Sequence, residues 1–211
     1  MTLALAFALL AWPAQCMAWD KAAAATYAET YAYNANPAWP YFSGSDCTNF
    51  ISQALRSGGI AMDTTRTDRS KWYMAKNING AWIWGYPWTV AQDFYTYFRT
   101  SPRTSAYRYY ISTYDWNTAT SYPTPPSNNV SLSRGDIVSY DWNTSARDGV
   151  DHNAIVTANG TDAHNASYSG DLVCYHSTDT RRIIWHVKHR LSYAQQQQIS
   201  YSCWGLSSAL N

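Results

Sequence analysis

The sequence predicts an α+β domain in which helices come first and an antiparallel sheet follows. Two observations carry this prediction. Helical apolar patterns with capping residues occupy segments 20–34 and 47–57, and short apolar runs separated by Gly, Asp and Asn occupy the second half of the chain. Helices followed by strands are typical of the α+β class. A chain of 211 residues can bury one core, so we expect one domain over residues 19–211.

The first eighteen residues are typical of a signal peptide. An apolar run from Leu3 to Trp12 precedes Pro13, and the segment ends at Ala18, a small residue that suits signal peptidase. We therefore expect residues 1–18 to be removed and the protein to be secreted. A buried N-terminal helix is the alternative, because no Lys or Arg precedes the run. The run is shorter than the ~20 residues that a membrane span requires.

Two helices are predicted next. Residues 20–34 are rich in alanine and place Tyr27 and Tyr31 four residues apart, on one helix face. Prolines end this helix, and residues 43–46 (Ser-Gly-Ser-Asp) form a turn that can cap a second helix over Cys47–Ser57. Gly58 and the glycine after it stop the second helix. Cys47 therefore lies in a first helical turn.

The remaining elements are less regular. Residues 61–88 are rich in Trp and Tyr, and these rings could line a cleft or fill the core. We predict a helix over 90–98, a surface loop over 118–133, and strands over the four segments 137–140, 153–157, 172–175 and 183–187.

The amino-acid composition limits the classes of binding partner to be expected. Charged residues make up 14% of the chain and aromatic residues 16%, with 18 Tyr and 11 Trp, so the surface must be largely uncharged and aromatic. Such a surface suits peptide or sugar polymers. A net charge of +1 without a basic stripe excludes nucleic acid as an expected partner. No later segment is apolar enough for stable membrane insertion, and we expect a monomer.

Cys47 is the candidate nucleophile. Removal of residues 1–18 leaves three cysteines, Cys47, Cys174 and Cys203, and an odd count in a secreted chain leaves one thiol free or paired with another chain. A helix N-terminus favours the reactive thiolate through its unpaired N–H groups and dipole. A buried helix-face thiol without catalytic function is the alternative.

A histidine must supply the base. His152 is the best placed of five, because it directly precedes the apolar strand 153–157, which would fix its imidazole against the core. A hairpin centred near residue 164 would bring His176 opposite His152 on one face of the sheet, where it could orient the imidazole. Asp179 and Asp151 are the alternative orienting residues.

These segments together resemble a known family. The matching segments are 46–55 (Asp-Cys-Thr-Asn-Phe-Ile-Ser-Gln-Ala-Leu), 58–59 (Gly-Gly), 72–73 (Trp-Tyr), 135–138 (Gly-Asp-Ile-Val), 151–156 (Asp-His-Asn-Ala-Ile-Val) and 175–179 (Tyr-His-Ser-Thr-Asp). They resemble the putative amidase domain family, which is similar to NlpC/P60 peptidases and other papain-like cysteine hydrolases. The resemblance runs from about Tyr27 to Arg182.

The resemblance implies a papain-like fold and cleavage of amide bonds, often in cell-wall peptides. It matches Cys47 to the nucleophile and His152 to the base, and it matches His176 less directly to the third polar residue. It implies no cofactor. A non-catalytic wall- or glycan-binding protein on the same fold is an alternative function. An acyltransferase is another, because an amine can resolve the same thioester in place of water.

No metal site is expected. The family often carries an Asp-rich turn before the matched histidine, but here Ala146 replaces the glycine that an EF-type calcium loop requires, and His152 replaces its bidentate glutamate. The chain has no C-x-x-C pair and no H-E-x-x-H segment, which disfavours a zinc hydrolase. Cys174 is predicted to be a small buried hydrophobic residue, with a disulfide to Cys203 as the alternative.

Overall fold

The computed structural model describes residues 19–105, 108–126, 132–144 and 148–207; the predicted signal peptide lies outside these residues. The helices are α1 (Lys21–Tyr31), α2 (Cys47–Ser57), α3 (Tyr86–Thr89), α4 (Ala91–Thr100), α5 (Pro102–Ser105), α6 (Trp116–Thr120) and α7 (Tyr193–Gln196), with a 3-10 turn at Lys188–Arg190. The strands are β1 (Met74–Lys76), β2 (Trp82–Trp84), β3 (Arg108–Asp115), β4 (Ile137–Asp141), β5 (His152–Thr161), β6 (Ser169–Tyr175), β7 (Thr180–Ile184) and β8 (Ser200–Leu206).

Six strands form one antiparallel sheet in the order β3-β8-β4-β5-β6-β7, and β1 and β2 form a separate antiparallel pair. The predicted α+β class with an antiparallel sheet is therefore confirmed. The first three strands predicted from sequence correspond to β4, β5 and β6. The fourth prediction, 183–187, overlaps β7 only at its last two residues. The sequence prediction missed β3 and β8, which read as polar and aromatic mixtures without a continuous apolar run.

Helices α1 and α2 pack on one face of the sheet. The carboxylate of Asp20 caps α1 by accepting hydrogen bonds from the N–H groups of Ala22 and Ala23. Helix α2 has the predicted bounds, and its first nine residues are all buried. The core on this face includes Phe50, Ile51, Ala54, Leu55, Ile137, Ile155, Cys174 and Trp204. This packing holds the N-terminus of α2 against β5.

A second apolar cluster covers the opposite face of the sheet. Its members include Val138, Tyr140, Ala154, Val156, Val173, Tyr175, Trp185, Tyr201 and Cys203. Because side chains alternate along a strand, β5 directs Asn153 and Ile155 toward α2 and directs Ala154 and Val156 into the second cluster. This alternation decides where the imidazole of His152 lies.

The Gly135-Asp136 pair joins α1 to the sheet. Asp136 forms an ion pair with Lys21 (2.5 Å) and accepts a hydrogen bond from the N–H of Leu206 (2.7 Å). Gly135 has φ of +95°, and a Cβ atom there would lie 2.6 Å from the Lys21 carbonyl oxygen. A glycine is required because the backbone is left-handed and α1 passes directly against it. The pair therefore has a structural role.

The aromatic stretch at 61–88 serves both of the purposes left open by the sequence. Trp72 and Trp88 are fully buried in the core. Trp82 and Trp84 are half-buried and line a cavity. The two outcomes follow from position, because β2 lies at the open edge of its own two-stranded sheet.

The three described cysteines are all buried free thiols, so the alternative disulfide between Cys174 and Cys203 is not formed. Cys174 belongs to the helix-side cluster and Cys203 to the opposite one, so the sheet separates them. Among the described residues, no helix is long and apolar enough to cross a membrane.

Candidate active site

The N-terminus of α2 is organised by Asp46. Its carboxylate accepts hydrogen bonds from the backbone N–H of Phe42 (2.9 Å) and from the side-chain amide of Asn49 (2.8 Å), and it pairs with Nδ1 of His176 (2.7 Å). Asp46 makes no side-chain cap bond to α2. The N–H groups of the first three residues of α2 make no intrahelical bond, since the first such bond runs from the N–H of Phe50 to the carbonyl of Asp46.

Cys47 follows at the start of the helix, with 7% of its surface exposed. Burial raises the pKa of the Cys47 thiol and the charge of Asp46 adds to the rise; hydrogen bonds from the Thr48 hydroxyl and from the N–H groups of Asn153 and Thr48 lower it without cancelling the rise. The resting group is therefore a thiol that is surrounded by donors able to stabilise its thiolate.

A line of buried hydrogen bonds ends at the sulfur. The indole N–H of Trp204 donates to Ser139 (3.0 Å), whose hydroxyl donates to Oδ1 of Asn153 (2.5 Å). The amide of Asn153 donates to Oγ1 of Thr48 (3.2 Å), which lies 3.6 Å from Sγ of Cys47. Because Thr48 accepts from Asn153, its own proton is free to point at the sulfur. Each donor thus polarises the next one toward the thiol.

His176 lies beside this helix terminus. Its Nε2 is 2.7 Å from the carbonyl oxygen of Tyr31, and its ring stacks on Phe50 with centroids 4.0 Å apart. A carbonyl oxygen only accepts, so Nε2 carries a proton, and Nδ1 shares a second proton with Asp46. Burial works to lower the pKa of His176, but the bonds to Asp46 and Tyr31 outweigh it and the pKa is raised. His176 and Asp46 therefore form a buried ion pair next to Cys47.

His152 lies in a different environment. Its ring contacts the rings of Tyr175 (4.6 Å between centroids), Trp142 (5.5 Å) and Tyr140 (5.7 Å). Burial lowers the pKa of His152 to about 3, so the imidazole is neutral. Nε2 is buried without a hydrogen-bond partner. The ring lines a cavity of about 250 Å³ together with Trp142, Tyr175, Ser177, Thr178, Val187, Arg190, Leu191 and Gln195.

The structure places the Asp46–His176 pair at the N-terminus of α2, where Cys47 lies, and keeps the imidazole of His152 on the other face of β5. Asn153 faces α2, whereas the His152 ring contacts Tyr140, which belongs to the cluster on the opposite face of the sheet. The two regions nevertheless adjoin. Ser177 lines the cavity of His152 and also accepts a hydrogen bond from the N–H of Asp46 (3.1 Å).

The predicted pairing of His176 with His152 is wrong. The β5–β6 hairpin has Thr161 opposite Ser169, and an irregularity between Val156 and Ala158 shifts the register, so that Ile155 lies opposite Cys174. Extending this register beyond the end of β6 places position 152 opposite residue 177 instead of residue 176. A shift of one residue exchanges the faces of a strand, which is why His176 reaches Asp46.

Sequence reasoning did not single out Asp46, Thr48 and Asn153, which lie beside or contact Cys47. Their signal was present, because all three lie in the segments that carry the resemblance, directly beside Cys47 or His152. Asp179 and Asp151 do not orient His152: among the described contacts, Asp151 accepts from the N–H of Trp142 (2.8 Å), and Oδ1 of Asp179 is buried without a hydrogen-bond partner.

The Asp-rich turn brings three carboxylates together. Oxygen atoms of Asp141, Asp148 and Asp151 all lie within 4.8 Å of one another. Burial is the main cause that raises the pKa values of Asp141 and Asp151, and the nearby carboxylates add to the rise. The absence of calcium binding at this turn stays a prediction.

The fold and this site define an α+β protein with a cysteine at a helix N-terminus, beside a histidine–aspartate pair. The chain belongs to the putative amidase domain family, whose model matches residues 18–204. It is 39% identical over 83 residues to the uncharacterized protein YhbB of Bacillus subtilis (strain 168), covering 39% of this chain and 25% of the relative.

A second relative is the uncharacterized protein YjcM of the same strain. The identity is 56% over 36 residues, which is 17% of this chain and 9% of the relative. The chain thus spans a quarter or less of the curated relatives that it matches. No solved structure gives a significant match.

Proposed function

We propose that this protein is a papain-like cysteine amidase or peptidase, related to the NlpC/P60 group, in which Cys47 attacks the amide carbonyl. The observation that carries the proposal is the position of the thiol: it lies at the N-terminus of α2, between the hydroxyl of Thr48 and the N–H of Asn153. Membership of a family named for amidase activity supports amide hydrolysis as the reaction.

The donors around Cys47 suit the charges that this reaction develops. The thiolate would be stabilised by the Thr48 hydroxyl and the Asn153 N–H. The N–H groups at the start of α2 precede the first intrahelical bond and could stabilise the oxyanion of the tetrahedral intermediate. The imidazolium of His176 offsets the negative charge of Asp46, which would otherwise oppose the thiolate.

His152 is the proposed base and the donor to the leaving amine. Its neutral imidazole with an unpartnered Nε2 is able to accept a proton, and its strand neighbour Asn153 bonds the thiol. To act, the ring must leave its aromatic surroundings and turn around the end of β5 toward Cys47. Catalytic contacts are often incomplete in an enzyme without substrate, so this separation is compatible with the role.

The proposed substrate is the peptide part of cell-wall peptidoglycan, and the proposed location is outside the cell. The low share of charged residues and the abundance of Trp and Tyr support a peptide or glycan polymer. Purified peptidoglycan is the direct test, with mass spectrometry of the released fragments. We expect new amine termini with the wild-type protein and none with Cys47→Ser. Binding without new termini would favour a wall-binding protein, and acyl transfer to an added amine would favour a transferase.

The line of hydrogen bonds gives a second test. Thr48→Val keeps the shape of the side chain but removes the hydroxyl between Asn153 and the sulfur. We expect slower alkylation of Cys47 and a roughly tenfold lower kcat, because one donor to the thiolate is lost. Unchanged alkylation and turnover in a folded Thr48→Val protein would contradict this role of the hydroxyl.

A further inference from the structure

The hairpin formed by β1 and β2 has an open edge. The N–H of Asn77 donates to the carbonyl of Ala81, and the N–H of Gly85 donates to the carbonyl of Tyr73. These two bonds show which residue pairs of the hairpin are hydrogen-bonded and which are not. Pairs two residues apart are bonded in an antiparallel ladder, so the main-chain N–H and C=O groups of Trp82 and Trp84 point away from β1. Within the part of the chain that the structure describes, no strand pairs with this edge.

A cavity of about 360 Å³ includes all three residues of β2 in its lining. It is lined by Arg66, Thr67, Arg69, Tyr73, Trp82, Ile83 and Trp84. Arg66 and Arg69 are exposed, and neither forms an ion pair with any described residue. The carbonyl of Arg69 accepts from the N–H of Tyr86 (2.7 Å), and its guanidinium lies 4.5 Å above that ring. These contacts hold Arg69 beside β2 and leave its N–H groups available.

The cavity is connected to the helix terminus that carries the thiol. The ring of Trp84 contacts Phe42, with centroids 5.1 Å apart. The N–H of Phe42 donates to Asp46, which directly precedes Cys47. A chain bound along β2 would therefore lie one layer of side chains away from the catalytic end of α2.

We propose that this cavity binds an extended peptide that bears carboxylate groups. The peptide would pair its main chain with the free edge of β2, and Arg66 and Arg69 would bind its carboxylates through their planar guanidinium groups. A peptide fits better than an acidic sugar, because the edge offers alternating main-chain donors and acceptors. As an account of substrate choice this rests on the proposed function, but the binding itself does not depend on turnover.

Isothermal titration calorimetry with the Cys47→Ser protein tests the proposal without cleavage. The probe is acetyl-Ala-Glu-Ala-Glu-Ala-amide, and its counterpart carries Gln at both Glu positions. We expect the Gln peptide to bind at least about tenfold more weakly, and the double variant Arg66→Gln/Arg69→Gln to weaken the Glu peptide by a similar factor. Arg56→Gln removes one charge at the other end of α2 and should leave binding unchanged.

Two further probes separate the parts of the site. Alternate amide nitrogens of the Glu peptide can be methylated in two ways, one for each alternating set. One of the two methylated peptides should fail to bind, because its methyl groups block pairing with the edge of β2. A galacturonate trisaccharide carries carboxylates without a peptide main chain and should bind weakly. Equal binding of the trisaccharide would overturn the assignment to a peptide.

Other outcomes would overturn the whole inference. These are equal binding of the Glu and Gln peptides, no measurable binding of either, or no effect of the double variant. The peptide comparison remains decisive even if the double variant fails to fold. If peptidoglycan is not cleaved but the Glu peptide binds as expected, only the proposed function fails. If wild-type protein cleaves amides while the Glu and Gln peptides bind alike, only this inference fails.

Discussion

Removal of the His176 imidazole should destabilise the protein strongly. His176→Ala leaves the Asp46 carboxylate buried with only the Phe42 and Asn49 donors, and it leaves the carbonyl of Tyr31 without this donor. His176 and Asp46 are 2% and 1% exposed, so solvent cannot replace the lost partner without opening the site. Breaking a buried pair from one side costs about 3–5 kcal/mol, and we expect a loss near 3 kcal/mol because Asp46 retains two donors.

The loss of stability caused by His176→Ala should depend on pH. Because the pKa of His176 is raised in the folded protein, its stabilising effect is complete below the ordinary histidine pKa of ~6.5 and is lost as pH rises through the folded value. Urea denaturation of wild type and His176→Ala at a series of pH values measures this directly. The difference in the free energy of unfolding should be largest near pH 6 and should shrink at alkaline pH.

A double-mutant cycle with Asp46→Asn assigns the effect to the pair. The two single variants and the double variant should give a coupling energy above ~1 kcal/mol at pH 6, because the two side chains are in direct contact. A destabilisation by His176→Ala below about 1 kcal/mol, or one that is the same at every pH, would refute the ion pair. A coupling near zero would show that His176 acts through packing on Phe50 alone.

Three other changes test the remaining steps. Cys47→Ser should abolish amide cleavage with little loss of stability, and in wild type iodoacetamide should modify Cys47 ahead of the two fully buried thiols; activity within a few-fold of wild type would contradict the assignment. Because the pKa of His152 is lowered to about 3, the wild type should lose stability as pH falls from ~6.5 toward that value. His152→Phe should reduce this acid-induced loss of stability in urea titrations and should abolish turnover. An unchanged pH dependence of stability would contradict burial of a neutral ring. Gly135→Ala should destabilise the protein by at least ~2 kcal/mol. Gly80→Ala is the control and should destabilise it much less, because Gly80 has a similar φ but nothing lies within 4 Å of a new Cβ. Equal melting temperatures of the two variants would contradict the close approach of α1.

The elements whose signals are local could be predicted from the sequence. The bounds of α2 follow from a turn, an apolar stripe and two glycines within residues 43–59, and the structure has the same bounds. Strand β8 could not be predicted in this way. Its sequence (Ser-Tyr-Ser-Cys-Trp-Gly-Leu) becomes a strand because it lies between β3 and β4, where both ladders satisfy its main chain.

The same distinction between local sequence signals and long-range pairing applies to the candidate site. The position of Cys47 in a first helical turn could be predicted from the turn at 43–46 and the apolar stripe that follows it; the structure has this position, although Asp46 makes no side-chain cap bond. The partner of His176 depended on strand register, and one irregularity near Thr157 was enough to move the imidazole to the other face. The main-chain irregularity leaves no mark in the apolar pattern, so the contact with Asp46 could not be predicted.

The resting site keeps both proposed reactants neutral. The pKa of the Cys47 thiol is raised above its ordinary ~8.5, while that of His152 is lowered to about 3. Moving a proton from the thiol to this imidazole is therefore unfavourable in the resting site, because both shifts favour the neutral forms. The aromatic surroundings of His152 contribute to that cost, because burial is the cause of its lowered pKa. In the proposed mechanism, movement of the ring out of these surroundings and toward the donors around Cys47 would remove much of the barrier, so substrate binding that favours this movement would also control when the thiolate forms.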